Sequence, residues 1–332
     1  MPKDDEDATV RLPPPPGAQA PRLVMASPPR HGTGPWIAAG AGALLLMAGG
    51  GTWWWLSRSA PPAPAPPPAE APAPVTVAPV PPAAIAPPRL PTAEILAFRG
   101  VEPTAFRWAS NPLVWILDFP NLDLQGQALN RAAALLEKAR GARDRVLTDE
   151  ELAAAIAADR RSPSTWYFGH NYRASDLMRV FELADRAGIR LNPQELWLRE
   201  QVELSRRVDR SRDAAFLTLP ALGPHVDESL RRSILMHELG HGQFFTMPFF
   251  AAHVMRVWET TFTQQERAAI RRFLAHDGYD QGNEELMANE AMAYLLYTPD
   301  RRFFDPARDL GWSDAQANRL REALRAGAPE EP

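Results

Sequence analysis

The stretch RRSILMHELGHGQFF, residues 231–245, sets two histidines four residues apart with a glutamate directly after the first. On an α-helix, residues four apart lie about 40° from one another around the axis, so His237 and His241 project from one face and can meet one ion. Glu238 sits one residue round from them. The chain has no cysteine, which removes thiolate metal sites, disulfides and cysteine nucleophiles and leaves His, Asp and Glu as metal ligands. Neutral imidazoles suit zinc, and a third protein ligand leaves the fourth position for water. Water held there loses a proton near neutral pH, and Glu238 is placed to take it.

Such a motif needs a helix to present it and a second element to complete it. Leu230, Ile234, His237, His241 and Phe245 follow helical spacing, which puts both histidines on the apolar, core-facing side. Two adjacent buried imidazoles need polar partners, and a metal satisfies both. Gly240 costs about 1 kcal/mol relative to alanine inside a helix, an expense that makes sense where another element approaches closely. The third ligand is expected downstream, in GNEELMANEAMAYLLY, residues 282–297. Glu284 and Glu285 fall in the first turn of this predicted helix, where the dipole favours solvated carboxylates. Glu290 sits mid-helix among Leu286, Met287, Ala291, Ala293 and Leu295, where an unpaired carboxylate is costly, and it is the expected ligand.

HELGH followed by ANEAMAY resembles the gluzincin group of zinc metallopeptidases, whose thermolysin family pairs HExxH with a later N-E-A-x-S-D helix. The resemblance covers residues 233–294 and rests on those two short motifs. It implies His237, His241 and Glu290 as Zn2+ ligands, Glu238 as general base, and peptide-bond hydrolysis as the activity. Two departures stand out. The family's aspartate four residues after the glutamate ligand orients a metal histidine, and Tyr294 occupies that place here. The interval between His241 and Glu290 is also longer, with an extra helix expected from Thr263. Tyr294 lies one turn beyond Glu290, so it is a candidate oxyanion stabiliser or orienting donor, with packing as its alternative role. The metzincin pattern fails, because Phe244 and Met247 stand where it requires Gly and His. His170, His276 and Tyr279, in predicted loops, are further oxyanion donors to consider; His225 and His253 have no supporting pattern.

The rest of the chain sets the context. Its 35 prolines are concentrated near the start, so the globular part must be counted separately within the 332 residues. Residues 1–35 are too poor in apolar periodicity to bury a core and are expected to be a disordered tail. Residues 36–56, WIAAGAGALLLMAGGGTWWWL, are uncharged, aromatic at both ends and about as long as the roughly 20 residues that cross a bilayer as a helix. Arg22 and Arg30 before the span against Arg58 after it favour a cytoplasmic N-terminus and an exported C-terminal part, facing the periplasm in a Gram-negative cell. Residues 57–91 are Pro/Ala-rich and expected to be a polyproline II stalk.

From residue 92 to 328 helix signals dominate. Capping boxes are expected at Thr148/Glu151, Thr263/Glu266 and Ser313/Gln316, and Asn192-Pro193 reads as a further helix start. Val114–Phe119 and Ala214–Pro220 are the best strands. The expected fold is therefore a mainly α domain with a small β-sheet, an α+β zincin-like arrangement. The FLTLP strand can serve either as an edge for extended substrate or as an interior strand. A net charge of −4 with no basic stripe argues against nucleic acid. The leading expectation is a membrane-anchored zinc endopeptidase acting on peptide or protein substrates. Its rivals are a non-catalytic envelope-spanning adaptor with a degenerate zinc site and a zinc hydrolase of non-peptide amides. Nothing in the sequence fixes the oligomeric state.

Overall fold

The computed structural model describes residues 25–26, 85–138 and 143–329. The expected membrane span, most of the stalk and all of the expected disordered tail except residues 25–26 lie outside the described residues; those two residues form a short strand rather than part of a structureless tail. No helix among the described residues is long and apolar enough to cross a membrane.

The protein is mainly helical with a small mixed sheet. Its first half runs β1 (Met25–Ala26), β2 (Arg89–Leu90), α1 (Thr92–Ala97), β3 (Thr104–Trp108), β4 (Val114–Phe119), α2 (Leu122–Leu136), α3 (Asp149–Ala158), β5 (Gly169–Arg173), α4 (Ala174–Ala187), α5 (Pro193–Val208) and β6 (Ala215–Pro220). Six helices complete it: α6 (Glu228–Thr246), α7 (Pro248–Thr260), α8 (Gln264–His276), α9 (Glu284–Tyr297), α10 (Pro306–Leu310) and α11 (Asp314–Arg325). The four helix starts expected from sequence are all present. Thr148, Asn192, Thr263 and Ser313 each accept with their side chain from the backbone N–H three positions on and donate their own backbone N–H to that residue's side chain.

The sheet order is β1-β5-β6-β4-β3-β2, with β4 and β6 parallel at its centre and β5 antiparallel to β6. The FLTLP strand is thus interior, flanked by β4 and β5. All six residues of β4 and all six of β6 are buried, because helices cover both faces. One face packs a core of Trp115, Leu117 and Phe216 with apolar residues of α2, α4 and α5. The opposite face packs Val114, Ile116 and Leu217 against Leu230, Ile234, Leu235 and Leu239 of α6. A third core, among α7, α8, α9 and α11, gathers Phe250, Trp258, Phe273, Met287 and Leu320.

Helix α6 lies between sheet and helical half, and two glycines allow it to lie close to both. A Cβ on Gly240 would come within 2.5 Å of the Tyr297 ring of α9, and one on Gly242 within 3.0 Å of Val114 of β4. The close approach inferred from Gly240 is therefore real. Arg231 fixes the helix along its axis. Fully buried, it donates to Asp118 Oδ2 at 2.6 Å, to the Pro220 carbonyl at 2.6 Å and to the Ile95 carbonyl at 3.1 Å. A lone buried guanidinium would be very costly; here a carboxylate and several carbonyls satisfy it and lock α6 in register over β4 and β6.

Candidate metal centre

His237, Glu238, His241 and Glu290 are all 0 % exposed. The i, i+4 spacing on α6 brings the two imidazoles together with Nε2 atoms 3.0 Å apart. Helix α9 packs across α6 and delivers Glu290, whose Oε2 lies 3.6 Å from His237 Nε2 and Oε1 3.7 Å from His241 Nε2. Two ligands each about 2.0–2.1 Å from a tetrahedral ion lie roughly 3.3–3.5 Å apart, so these three edges bracket the spacing such an ion requires. His237, His241 and Glu290 form a group that could hold a metal ion.

The proton positions point the same way. Thr298, just after α9, donates its hydroxyl to the Ala293 carbonyl at 3.2 Å. Its oxygen, 2.8 Å from His237 Nδ1, therefore accepts from that nitrogen, which fixes the tautomer and turns the Nε2 lone pair towards Glu290 and His241. The Glu290 carboxylate beside His241 raises that imidazole's pKa. Burial outweighs it, pushing His237 down to about 3 and His241 to about 4. Both rings are neutral at physiological pH, the form that offers a lone pair to a cation. With His241 as the Nδ1–H tautomer, two lone pairs face each other beside a carboxylate and repel one another until a positive charge sits between them.

Glu238 occupies the same buried space with a different role. Its Oε2 accepts from Asn171 Nδ2 at 3.0 Å, whereas its Oε1 has no protein partner. Burial raises its pKa well above the usual carboxylate value; the Asn171 bond opposes the rise, and Glu290 and Glu137 add to it. One oxygen is held and the other faces the buried space without a hydrogen bond. Asn171 is aimed by strand geometry. On β5 successive side chains alternate, so Asn171 faces α6 while His170 and Tyr172 face the other way.

Other residues singled out in the sequence fall elsewhere. Tyr294 is buried with its ring 4.7 Å from that of His237, edge on, and is packed by Phe273 and Phe304. The orienting partner of the metal-facing histidine is Thr298, eight residues beyond Glu290 rather than four. Glu284 pairs with Arg271 and accepts from Trp258 Nε1, and Glu285 pairs with Arg173, so neither joins the metal group. His276 ends α8 with its side chain mostly exposed, His225 is exposed, and His253 contacts the Ala323 carbonyl. His170 is not in a loop: it lies in β5, fully buried, against Thr218 and Gln125.

Sequence reasoning missed Asn171, Thr298 and Glu137. Glu137 caps the end of α2, fully buried, and accepts a short hydrogen bond from the Tyr172 hydroxyl. Burial raises its pKa strongly, with the Glu290 charge adding to the rise. The available signal was weak: a glutamate ending an alanine-rich apolar helix, and a threonine two helical turns beyond a predicted ligand.

His170 provides a separate test of how deeply this region is buried. Burial lowers its pKa to about 3 from 6.5. A depressed folded-state pKa means that the stability contribution is intact above pH 6.5 and is lost as pH falls towards 3, because the unfolded chain takes up a proton that the folded one refuses. The loss is about 1.4 kcal/mol per pH unit, or roughly 2 kcal/mol at pH 5. Urea unfolding at pH 7 and pH 5 should therefore show wild type losing about 2 kcal/mol more than His170→Gln. Equal losses would mean that His170 becomes protonated inside the fold.

No family model matches the chain, and comparisons with curated proteins and with solved structures also find no match.

Proposed function

We propose that the domain is a zinc-dependent peptidase, held at a membrane by residues 36–56 and displayed on the exported side by its Pro/Ala-rich stalk. One observation carries this reading: Glu290 of α9 meets His237 and His241 of α6 while Glu238, one residue from the first histidine, keeps an unpartnered oxygen in the same buried space. That arrangement supports the likeness to gluzincins drawn from HELGH and ANEAMAY.

Zinc, when bound, supplies a Lewis acid and makes water acidic enough to yield a nucleophile near neutral pH. The protein's residues do the rest. Glu238 takes the proton from the attacking water through Oε1 and later returns it to the leaving amine, while Asn171 holds Oε2 so that the carboxylate does not turn away. Thr298 holds His237 in the metal-binding tautomer. The hydrophobic enclosure strengthens every charge interaction among them.

The complete burial of the four residues favours a second reading, a structural zinc in a binding protein. Ligand number argues against it. Structural zinc sites close their shell with four protein ligands, whereas three His/Glu residues make up this group among the described residues. The deciding experiment uses the full-length protein in detergent, zinc-loaded, on a broad peptide library. Discrete cleavages that disappear on chelation and return with zinc support the peptidase. Stoichiometric zinc with no cleavage supports the binding protein.

A further inference from the structure

We propose that Arg173 sets substrate preference at this centre by taking a carboxylate of the peptide close to the cleaved bond. The proposal rests on the hydrolytic reading above and deepens it.

A peptide must reach ligands that are themselves sealed from solvent. Tyr294 and Thr298 against His237, and Asn171 against Glu238, are buried like the residues they touch. Phe245 differs. One turn after His241 on α6, it is half-buried, and its ring lies 6.3 Å from the His241 ring with the two planes 18° apart. Among these contacts, solvent comes nearest to the metal group beside Phe245.

Arg173 lies over that opening. It ends β5 two residues after Asn171, and side chains two apart on a strand share a face, roughly 6.5–7 Å from one another along it. The asparagine that holds Glu238 and this arginine therefore both face α6. The guanidinium sits 4.5 Å from the centroid of the Phe245 ring, so a cation rests on the ring next to that of a metal-facing histidine. Arg231 of α6 offers nothing similar, because it is fully buried and committed to Asp118 and backbone carbonyls.

The bonding of Arg173 leaves room for a ligand. Its Nη2 donates to Glu285 Oε1 of α9 at 2.6 Å, and among the described residues its side chain makes no other hydrogen bond. A guanidinium carries five N–H donors in a planar fork that matches a carboxylate with two parallel bonds. Arg173 is 18 % exposed and Glu285 37 %, so solvent reaches the pair, and such an ion pair contributes little to the fold. Stacking on Phe245 fixes the plane of the fork, so little freedom is lost when a second carboxylate joins it. A peptide supplies that group as an Asp or Glu side chain or as its own C-terminus.

The test uses zinc-loaded, full-length protein in detergent and variants of the best library peptide. Acetylated, amidated peptides carry Glu or Gln in turn at each position near the cleaved bond, and a further Gln peptide keeps its free C-terminal carboxylate. Wild type should show kcat/KM about tenfold higher for one carboxylate-bearing peptide than for its neutral counterpart, through KM rather than kcat. A gain at a Glu position assigns the side chain; a gain confined to the free acid assigns the C-terminus. Arg173→Gln should erase the difference while zinc content is unchanged and neutral peptides are still cleaved. Arg173→Lys should keep part of it, and Glu285→Gln, which releases the shared nitrogen, should widen it. A preference that survives in Arg173→Gln overturns the proposal, as does a wild type indifferent to carboxylates. If Arg173→Gln folds poorly, Glu285→Gln reads the same contact from the other side, and an unwidened preference there overturns the proposal too. Binding of the same peptides, followed by calorimetry, separates the two readings. Carboxylate-dependent binding that needs Arg173 without any cleavage sinks the peptidase and keeps the site. Cleavage that needs Glu238 but ignores Arg173 does the reverse, and peptides neither bound nor cleaved overturn both.

Discussion

Glu238→Gln is expected to cut turnover by about 10³-fold while leaving the metal site intact and making the protein harder to unfold. The glutamine fits the same volume, and its carbonyl oxygen can still accept from Asn171. What is lost is the ability to take and return a proton, worth about 10²–10⁴-fold in rate, so kcat should fall by about 10³-fold with zinc content unchanged. The stability gain follows from burial. The folded-state pKa of Glu238 is raised, so folding is favoured below the unfolded value near 4.5 and the advantage is lost as pH rises through the folded value. A neutral glutamine carries no such penalty. Thermal melts of the metal-free proteins at pH 8 should therefore place the variant above wild type by a few degrees, of the order expected for about 1 kcal/mol. A fully active variant would remove Glu238 from the mechanism.

Loss of Glu290 should be felt first in metal content. In Glu290→Gln the two imidazoles still converge, but the anionic ligand that balances the ion's charge is gone. Bound zinc after exhaustive dialysis should drop from about one per chain to roughly a tenth or less, since metal affinity depends on ligand number and ionisation. Glu284→Gln and Glu285→Gln should each retain stoichiometric zinc, because their carboxylates are committed to Arg271 and Arg173. Thr298→Val supplies a graded intermediate. Removing the acceptor of His237 Nδ1 should weaken zinc by about 10–100-fold without eliminating it. Unchanged zinc in Glu290→Gln would relocate the third ligand.

How much of this was visible beforehand depended on whether the signal was local. The i, i+4 histidines, a carboxylate stranded among apolar residues of a later helix, and four capping sites are properties of short windows governed by helix geometry, and each appears as expected. Strands β4 and β6 were legible as short runs of buried apolar residues. Strand β5 was not, because GHNYR contains no apolar alternation. Its histidine and asparagine are buried for their partners rather than for their hydrophobicity, and polar runs read as loop. The Asn171 bond to Glu238 spans 67 residues of chain, and the His237 bond to Thr298 spans 61, so neither leaves a mark in a local window. Tyr294 was placed by analogy of spacing, and the helix instead offers His237 its orienting oxygen one turn later, from Thr298.

Gly240 and Gly242 have a further consequence. They point to opposite sides of α6 and let the backbone of that helix rest almost directly on α9 and on the sheet. The gap between the histidines of one helix and the glutamate of another is thus gauged by main chain against ring, with no long side chain to act as a spring. A methyl group at position 240 would act as a shim, opening the two halves of the ligand set by a fraction of an ångström. A change that adds no charge would then alter which ions the centre could grip, and any ionic-radius selectivity would be written partly in two residues that have no side chain at all.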